Sequence, residues 1–305
     1  MAKMVRNEIE GKEYKKRRKD RKDGRFIDAP AMLRIMSYFK NREEAYVYIN
    51  RKFDVTDLIK YMKKKKEKNP DLTFFHAFTT AITKVVFNRP RLNNFIINHR
   101  YFSRNEVIMA FTAKVEFSDK AKEVMSLIRV NRDDTIDDIG KRIGEKVDSF
   151  RKKMEQSSSD DTLDILDKIP YCLLKWPLMP LLLWMDRHDK LPKSIYNELL
   201  YNSTAILSNL GSIKCGAIHH NLTNIGSSSI IITMGEIHKE VVVNKEGKQE
   251  VRDLVEFGIN LDERIADGAY MSKAVNLLNY IITHPETLDE PLKTKYESKD
   301  YFTYE

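Results

Sequence analysis

Two adjacent histidines, His219 and His220 in GAIHHNLTNIG, are well suited by type to move a proton near neutrality. Imidazole titrates close to physiological pH, so it can act as a general base without a specially built surrounding. One ring could take the proton while its neighbour or a carboxylate orients it. The other reading is a packed or surface pair. A metal centre is the weaker use, because adjacent histidines rarely both reach one ion and no nearby Cys or Asp completes a ligand set. Glu263, in DERIADG, is a second candidate base. A carboxylate starts at about 4.3 and must be pushed up strongly by burial before it can serve near neutrality. Otherwise it pairs with Arg264 or another cation and is inert.

The remaining reactive side chains carry weaker signals. His76 lies among core positions of a helix. His99, His188, His238 and His284 stand near charged or turn segments and read as surface. Cys172 and Cys215 are the only cysteines. They form no disulfide framework and no metal-ligand spacing, and they fit a reducing compartment. Cys215, without a paired base, reads as structural.

These residues need a scaffold, and the chain is long enough to build one. Its 305 residues suffice for a substantial core, and a hydrophobic content of 42% excludes a disordered chain. Six of the eight net positive charges sit in residues 12–25, KEYKKRRKDRKDGR, which hold nine Lys or Arg against three acids. Residues 1–25 therefore read as a basic, flexible arm, either simply solvated or leaning on an anionic membrane surface or acidic partner. No nucleic-acid motif accompanies it, so nucleic acid is not an expected partner. The charged start has no signal-peptide run, and the expected location is cytoplasmic, with peripheral membrane attachment left open.

The periodicity then predicts the elements. AYVYINRKF (45–53) alternates like a strand, and a helix capped by Asp54 or Thr56 follows with Leu58, Ile59 and Met62 on one face. Phe75, Phe78, Ile82, Val85 and Val86 mark a second helix that stops near Arg89-Pro90. Residues 106–117 and 123–130 read as strands. Ile136, Ile139, Ile143, Val147 and Phe150 mark a third helix, and 156–161 a loop. SNLGS (208–212) reads as a loop, 227–237 and 249–261 as strands, and Ala274, Leu277, Leu278 and Ile281 as one face of a last helix. The insertion at 169–185, IPYCLLKWPLMPLLLWM, is apolar but interrupted by three prolines. It reads as a buried hairpin or pocket wall, a lipid-facing surface segment, or, least well, a membrane span. Strands and helices mix without strict alternation, which predicts an α/β (α+β two-layer) sandwich: a mixed sheet with helices packed on it.

Four segments in order carry a resemblance: RPRLNNFI (89–96), AILSNLG (205–211), ITMGEI (232–237) and DERIADG (262–268). Over roughly residues 26–290 the chain resembles the catalytic domain of dihydrolipoyl acyltransferases of 2-oxo acid dehydrogenase complexes, and more distantly chloramphenicol acetyltransferase. The family's Asp-His-Arg-x-x-Asp-Gly signature falls on Asp262–Gly268, with Glu263 in place of the histidine.

The resemblance implies a chloramphenicol acetyltransferase-like fold over 26–305. It implies a homotrimer with each active site at a subunit interface, and coenzyme A entering as an acyl-CoA or carrier thioester with no metal. It makes Ser208 the candidate oxyanion donor and Asp267 the carboxylate that pairs with an arginine and fixes the signature loop. It places His219 and His220 near the channel, where either could replace the missing base. It also implies a stand-alone relative, without lipoyl or subunit-binding domains. The functional expectation is acyl transfer to an unknown acceptor. The alternative is an inactive acyl-CoA-binding or scaffolding relative.

Overall fold

Strand β12 (Gln249–Asp262) shows how the sheet sorts its side chains. Phe257, Ile259 and Leu261 enter the main core, so Gly258, Asn260 and Asp262 fall on the opposite face. In the computed structural model, which describes residues 3–114, 123–156, 169–244 and 246–302, this strand organises a seven-stranded mixed sheet. On one side β12 pairs antiparallel with β4 (Tyr46–Asp54). On the other it pairs with β11 (His238–Val243) along its first half and β10 (Ile230–Met234) along its second. The sheet continues through β9 (Ala205–Asn209) and β7 (Val107–Lys114), both in parallel pairings, and ends with antiparallel β8 (Glu123–Val130).

The same alternation runs across the sheet. Phe53, Phe111, Leu207, Ile232 and Phe257 join one core with helices α2 (Thr56–Lys66), α3 (Phe74–Asn88), α4 (Ile136–Gln156) and α7 (Gly268–Thr283). Burying each such side chain contributes roughly 1.5–3 kcal/mol. Ile108, Ala110, Ile206 and Ile231 face the other way, in a second and smaller cluster. His76 sits at the start of α3, where its Nδ1 accepts from the Thr73 N–H at 3.3 Å. Burial pushes its pKa down to about 4.

Several elements differ from the sequence expectation. Residues 3–25 of the expected flexible arm are built into the fold. A hairpin of β1 (Met4–Asn7) and β2 (Lys12–Lys15) precedes β3 (Gly24–Ile27), which joins β5 (Asn94–Ile97) and β6 (Arg100–Arg104) in a small sheet. Its charge reads as loose in sequence because some of its partners, Asp189 among them, are distant. Arg21 is buried, 3.0 Å from Asp23, and donates to the Asp186 carbonyl at 3.1 Å. Ser208 and Asn209, read as part of a loop, are the end of strand β9. The insertion is neither a buried hairpin nor a membrane span. It forms a broken helical run ending in α5 (Met179–Arg187), with Trp176 68% exposed. Among the described residues no helix is long and apolar enough to cross a membrane. Helix α1 (Ala31–Phe39) and α6 (Lys193–Glu198) complete the main elements. Residues 115–117 of the first predicted central strand and 157–161 of the predicted loop lie outside the described residues.

Candidate active site

The sheet face away from the helices carries a row of hydroxyls. Ser208 on β9 stands opposite Thr112 of β7 on one side and Thr233 of β10 on the other, and Thr233 stands opposite Gly258 of β12. Adjacent members are ~4.8 Å apart, the spacing of neighbouring strands. Ser208 reaches this face by simple alternation, since Ala205 and Leu207 fill the core. The chain then turns sharply. The Leu210 N–H donates to the Met234 carbonyl at 2.9 Å, and a Cβ on Gly211 would come within 2.6 Å of the Gly235 carbonyl oxygen. Only glycine allows that approach.

After this turn, residues 215–222 cross the sheet close above it. A Cβ on Gly235 would lie 2.7 Å from the Ala217 nitrogen, and one on Gly258 would overlap the Ile218 carbonyl. Glycines at these two positions let the two backbones touch. The Ile218 N–H donates to Thr233 Oγ1 at 3.1 Å, and the Thr233 hydroxyl donates back to the Ile218 carbonyl. Thr233, the cross-strand partner of Ser208, thus anchors the residue preceding His219.

The next contact orients the imidazole. Asn260 is fully buried, and its Nδ2 donates to the His220 carbonyl, which can only accept. That fixes the amide, so Oδ1 faces His219 Nδ1 at 2.7 Å. An amide oxygen can only accept, so Nδ1 carries the proton and Nε2 keeps a lone pair. The Tyr48 ring stands edge-on to His219 at 5.1 Å, and the Tyr46 hydroxyl donates to the Leu222 carbonyl. His219 is therefore an exposed ring on a held backbone, in the tautomer a base requires. His220 is also exposed, and its carbonyl is what Asn260 binds.

The other end of this face is built differently. Asp262 and Arg264 form a buried bidentate pair, with Nε–Oδ1 at 2.8 Å and Nη2–Oδ2 at 2.7 Å. Burial alone would lower the Arg264 guanidinium, but the bond to Asp262 outweighs it and the net direction is upward. Arg264 also donates to the Lys40 carbonyl at 2.8 Å, and its own carbonyl accepts from Tyr101. Glu263 is half-buried and bound by Lys40 Nζ at 2.5 Å. Asp267 caps α7 by accepting the Tyr270 N–H at 2.8 Å, with exposed Arg91 at 3.5 Å. Asp262 thus clamps the loop through Arg264, while Asp267 caps the helix and lies within ion-pair distance of Arg91.

Distance separates the two ends. Gly258, in the Ser208 row, and Asp262 are four residues apart on β12, ~13 Å at ~3.3 Å per residue. Asn260 is only two residues from that row. Gly258 is itself two strands, roughly 10 Å, from Ser208, so within one chain Asn260 is nearer to Ser208 than Asp262 is, but neither adjoins it. Sequence reasoning missed Asn260, Thr233, Gly235 and Gly258. The signal was there in FGINLD, where a glycine and an asparagine interrupt apolar residues at alternate positions. Among the described residues no three His, Cys, Asp or Glu are placed to hold a metal ion. An apolar cavity of about 40 Å³ lies on the helix side, lined by Ile82, Val86, Ile232, Ile259 and Met271, and has no polar group to orient a thioester.

Comparison with known proteins bears on this geometry. Residues 192–289 match the family model for the catalytic domain of 2-oxoacid dehydrogenases acyltransferase. A probable dihydrolipoamide acetyltransferase from Listeria monocytogenes 4b F2365 superposes with a TM-score of 0.55 at 15% identity, covering 85% of this chain and 94% of that one. The fold is that of an acyltransferase catalytic core. The cubic core of the pyruvate dehydrogenase multienzyme complex gives a TM-score of 0.56 at 13% identity, covering 87% of this chain and 94% of that chain. A truncated catalytic core of the 2-oxoacid dehydrogenase multienzyme complex from Thermoplasma acidophilum gives 0.53 at 15% identity, covering 86% and 99%. No curated protein matches. The family match spans Ser208, His219, Asn260, Asp262 and Asp267 and stops short of Lys40, Tyr48 and Thr112. The acyltransferase resemblance thus holds both for this segment and for the whole-chain fold.

Proposed function

We propose that this chain is an acyltransferase that moves an acyl group from coenzyme A or a carrier thioester to a hydroxyl, thiol or amine acceptor, with His219 as general base and Ser208 as oxyanion donor. The observation that carries this reading is the Asn260-oriented imidazole of His219, two residues along β12 from the row that holds Ser208. His219 Nε2 takes the acceptor's proton as the acceptor attacks the thioester carbonyl. The Ser208 hydroxyl donates to the resulting oxyanion. Collapse breaks the carbon–sulfur bond, and the leaving thiolate receives the proton from His219. The family match supports acyl transfer in general.

The site is completed, in this proposal, between copies in a homotrimer. Glu263 lies at the far end of β12 from the Ser208 row, so in this proposal a Glu263 that takes part comes from a neighbouring copy. Beside it, Met32, Ile35 and Phe39 of α1 are exposed in one stripe, an apolar surface suited to burial against another copy. The second reading is an acyl-CoA-binding relative without turnover, and the ion pair of Glu263 with Lys40 favours it. Release of free thiol from acetyl-CoA and longer acyl-CoAs, with a panel of small acceptors, tests both. Turnover lost in His219→Ala and Ser208→Ala supports catalysis. Full turnover in both variants overturns the residue assignment. Tight acyl-CoA binding without turnover establishes the second reading. Sedimentation velocity showing only a monomer overturns the trimer.

A further inference from the structure

The two segments that stood out by composition, the basic stretch 12–25 and the apolar insertion, are about 150 residues apart in sequence, and the first touches the residues that directly follow the second. The Lys22 N–H donates to Asp189 Oδ2 at 2.8 Å, Lys22 Nζ to the Leu191 carbonyl at 2.8 Å, and Arg21 to the Asp186 carbonyl. This contact sorts the charges. Between residues 169 and 195 the charged residues are Lys175, Asp186, Arg187, Asp189, Lys190 and Lys193. Asp186 is buried and Asp189 is turned towards Arg21 and Lys22, whereas all four cations are exposed. Among these cations stand Tyr171, Leu173, Trp176, Leu181 and Trp184, each at least 45% exposed. Lys190 Nζ lies 4.6 Å from the Trp184 ring centroid.

We propose that this surface docks the protein on an anionic lipid membrane, with Trp176 and Trp184 entering the headgroup region and Lys175, Arg187, Lys190 and Lys193 meeting the lipid phosphates. Exposed aromatic and aliphatic side chains with only cations among them fit such an interface. Tryptophan prefers that depth, and each cation adds to the attraction. A neutral protein partner would leave the cations unmatched. The segment lies on the membrane and does not cross it, since it is too short and too broken for a span. The proposal stands apart from the acyl-transfer reading.

The chain's two tryptophans both belong to this segment, so tryptophan emission, excited selectively over tyrosine, reports on it alone. Vesicles of phosphatidylcholine mixed with phosphatidylglycerol should shift the emission to the blue and sediment the protein. Vesicles of phosphatidylcholine alone should do neither, and high salt should reverse both. Lys175→Gln and Lys193→Gln change exposed side chains and should each weaken vesicle binding about fivefold. Trp176→Ser should weaken it further while leaving the far-ultraviolet circular dichroism unchanged. The proposal is overturned if the wild-type emission ignores anionic vesicles, or if binding does not depend on lipid charge. A blue shift that grows with protein concentration without lipid would assign the surface to self-association instead.

Discussion

The two ends of one sheet face solve opposite problems. At the Asp262 end every charge has a partner: Asp262 holds Arg264, Arg264 holds the Lys40 carbonyl, and Lys40 holds Glu263. At the Ser208 end the backbone and one ring nitrogen are pinned, and the other ring nitrogen is left open. Thr233 grips Ile218, Asn260 grips His219 and the His220 carbonyl, and the imidazole Nε2 keeps its lone pair. Saturated groups hold a loop in place. A reactive group has to be oriented through one atom and left open at another. On the proposed reading, the chemistry lies where the glutamate is not.

The largest expected effect tests that placement. His219→Ala should reduce acyl-transfer turnover about 10²–10⁴-fold, the usual contribution of a positioned base, with the fold intact by circular dichroism. Arg264→Met attacks the other end. It strands a buried carboxylate, which should cost about 3–5 kcal/mol in denaturant unfolding. Comparable stability in the variant would mean that the clamp is dispensable. Ser208→Ala should lower turnover about 10²–10³-fold with little change in stability.

Assay pH must be chosen with His76 in mind, because it lies at neither end. Its folded pKa of about 4 lies below the unfolded value of about 6.5, so the unfolded chain binds more protons between them. Stability is full above pH ~6.5 and falls as pH drops towards 4, by about 3 kcal/mol in all. His76→Gln should flatten that part of the stability–pH curve, and activity is best compared above it. The smallest effect belongs to Glu263→Gln. Its ion pair with Lys40 is partly exposed, so stability should change by less than about 1 kcal/mol. A large loss of turnover in that variant would break the comparison and return the glutamate to the mechanism.

Long, regular elements were legible in the sequence. The stripe Ile136, Ile139 and Ile143 and the face Ala274, Leu277, Leu278 and Ile281 are buried as their spacing requires. The apolar character of 169–185 was legible, but its exposure was not, because exposure depends on what packs against it. The N-terminal charges read as an arm because Asp189, the partner of Arg21 and Lys22, lies far along the chain. The end of β9 read as a loop because Ser208 and Asn209 are polar, although alternation alone puts Ser208 on a sheet face. The pair His219–His220 was visible, but which ring is oriented was not, since Asn260 is 41 residues away from His219.

Gly235 and Gly258 have a wider consequence. At these two positions no side chain separates the sheet from the crossing segment, so main-chain contact sets the clearance there, beside the bonds from Thr233 and Asn260. A single methyl at either position would lift the crossing strip and carry the ring with it, without altering any polar group. On the proposed reading, the reach of this base depends on backbone clearance at two residues remote from its free nitrogen.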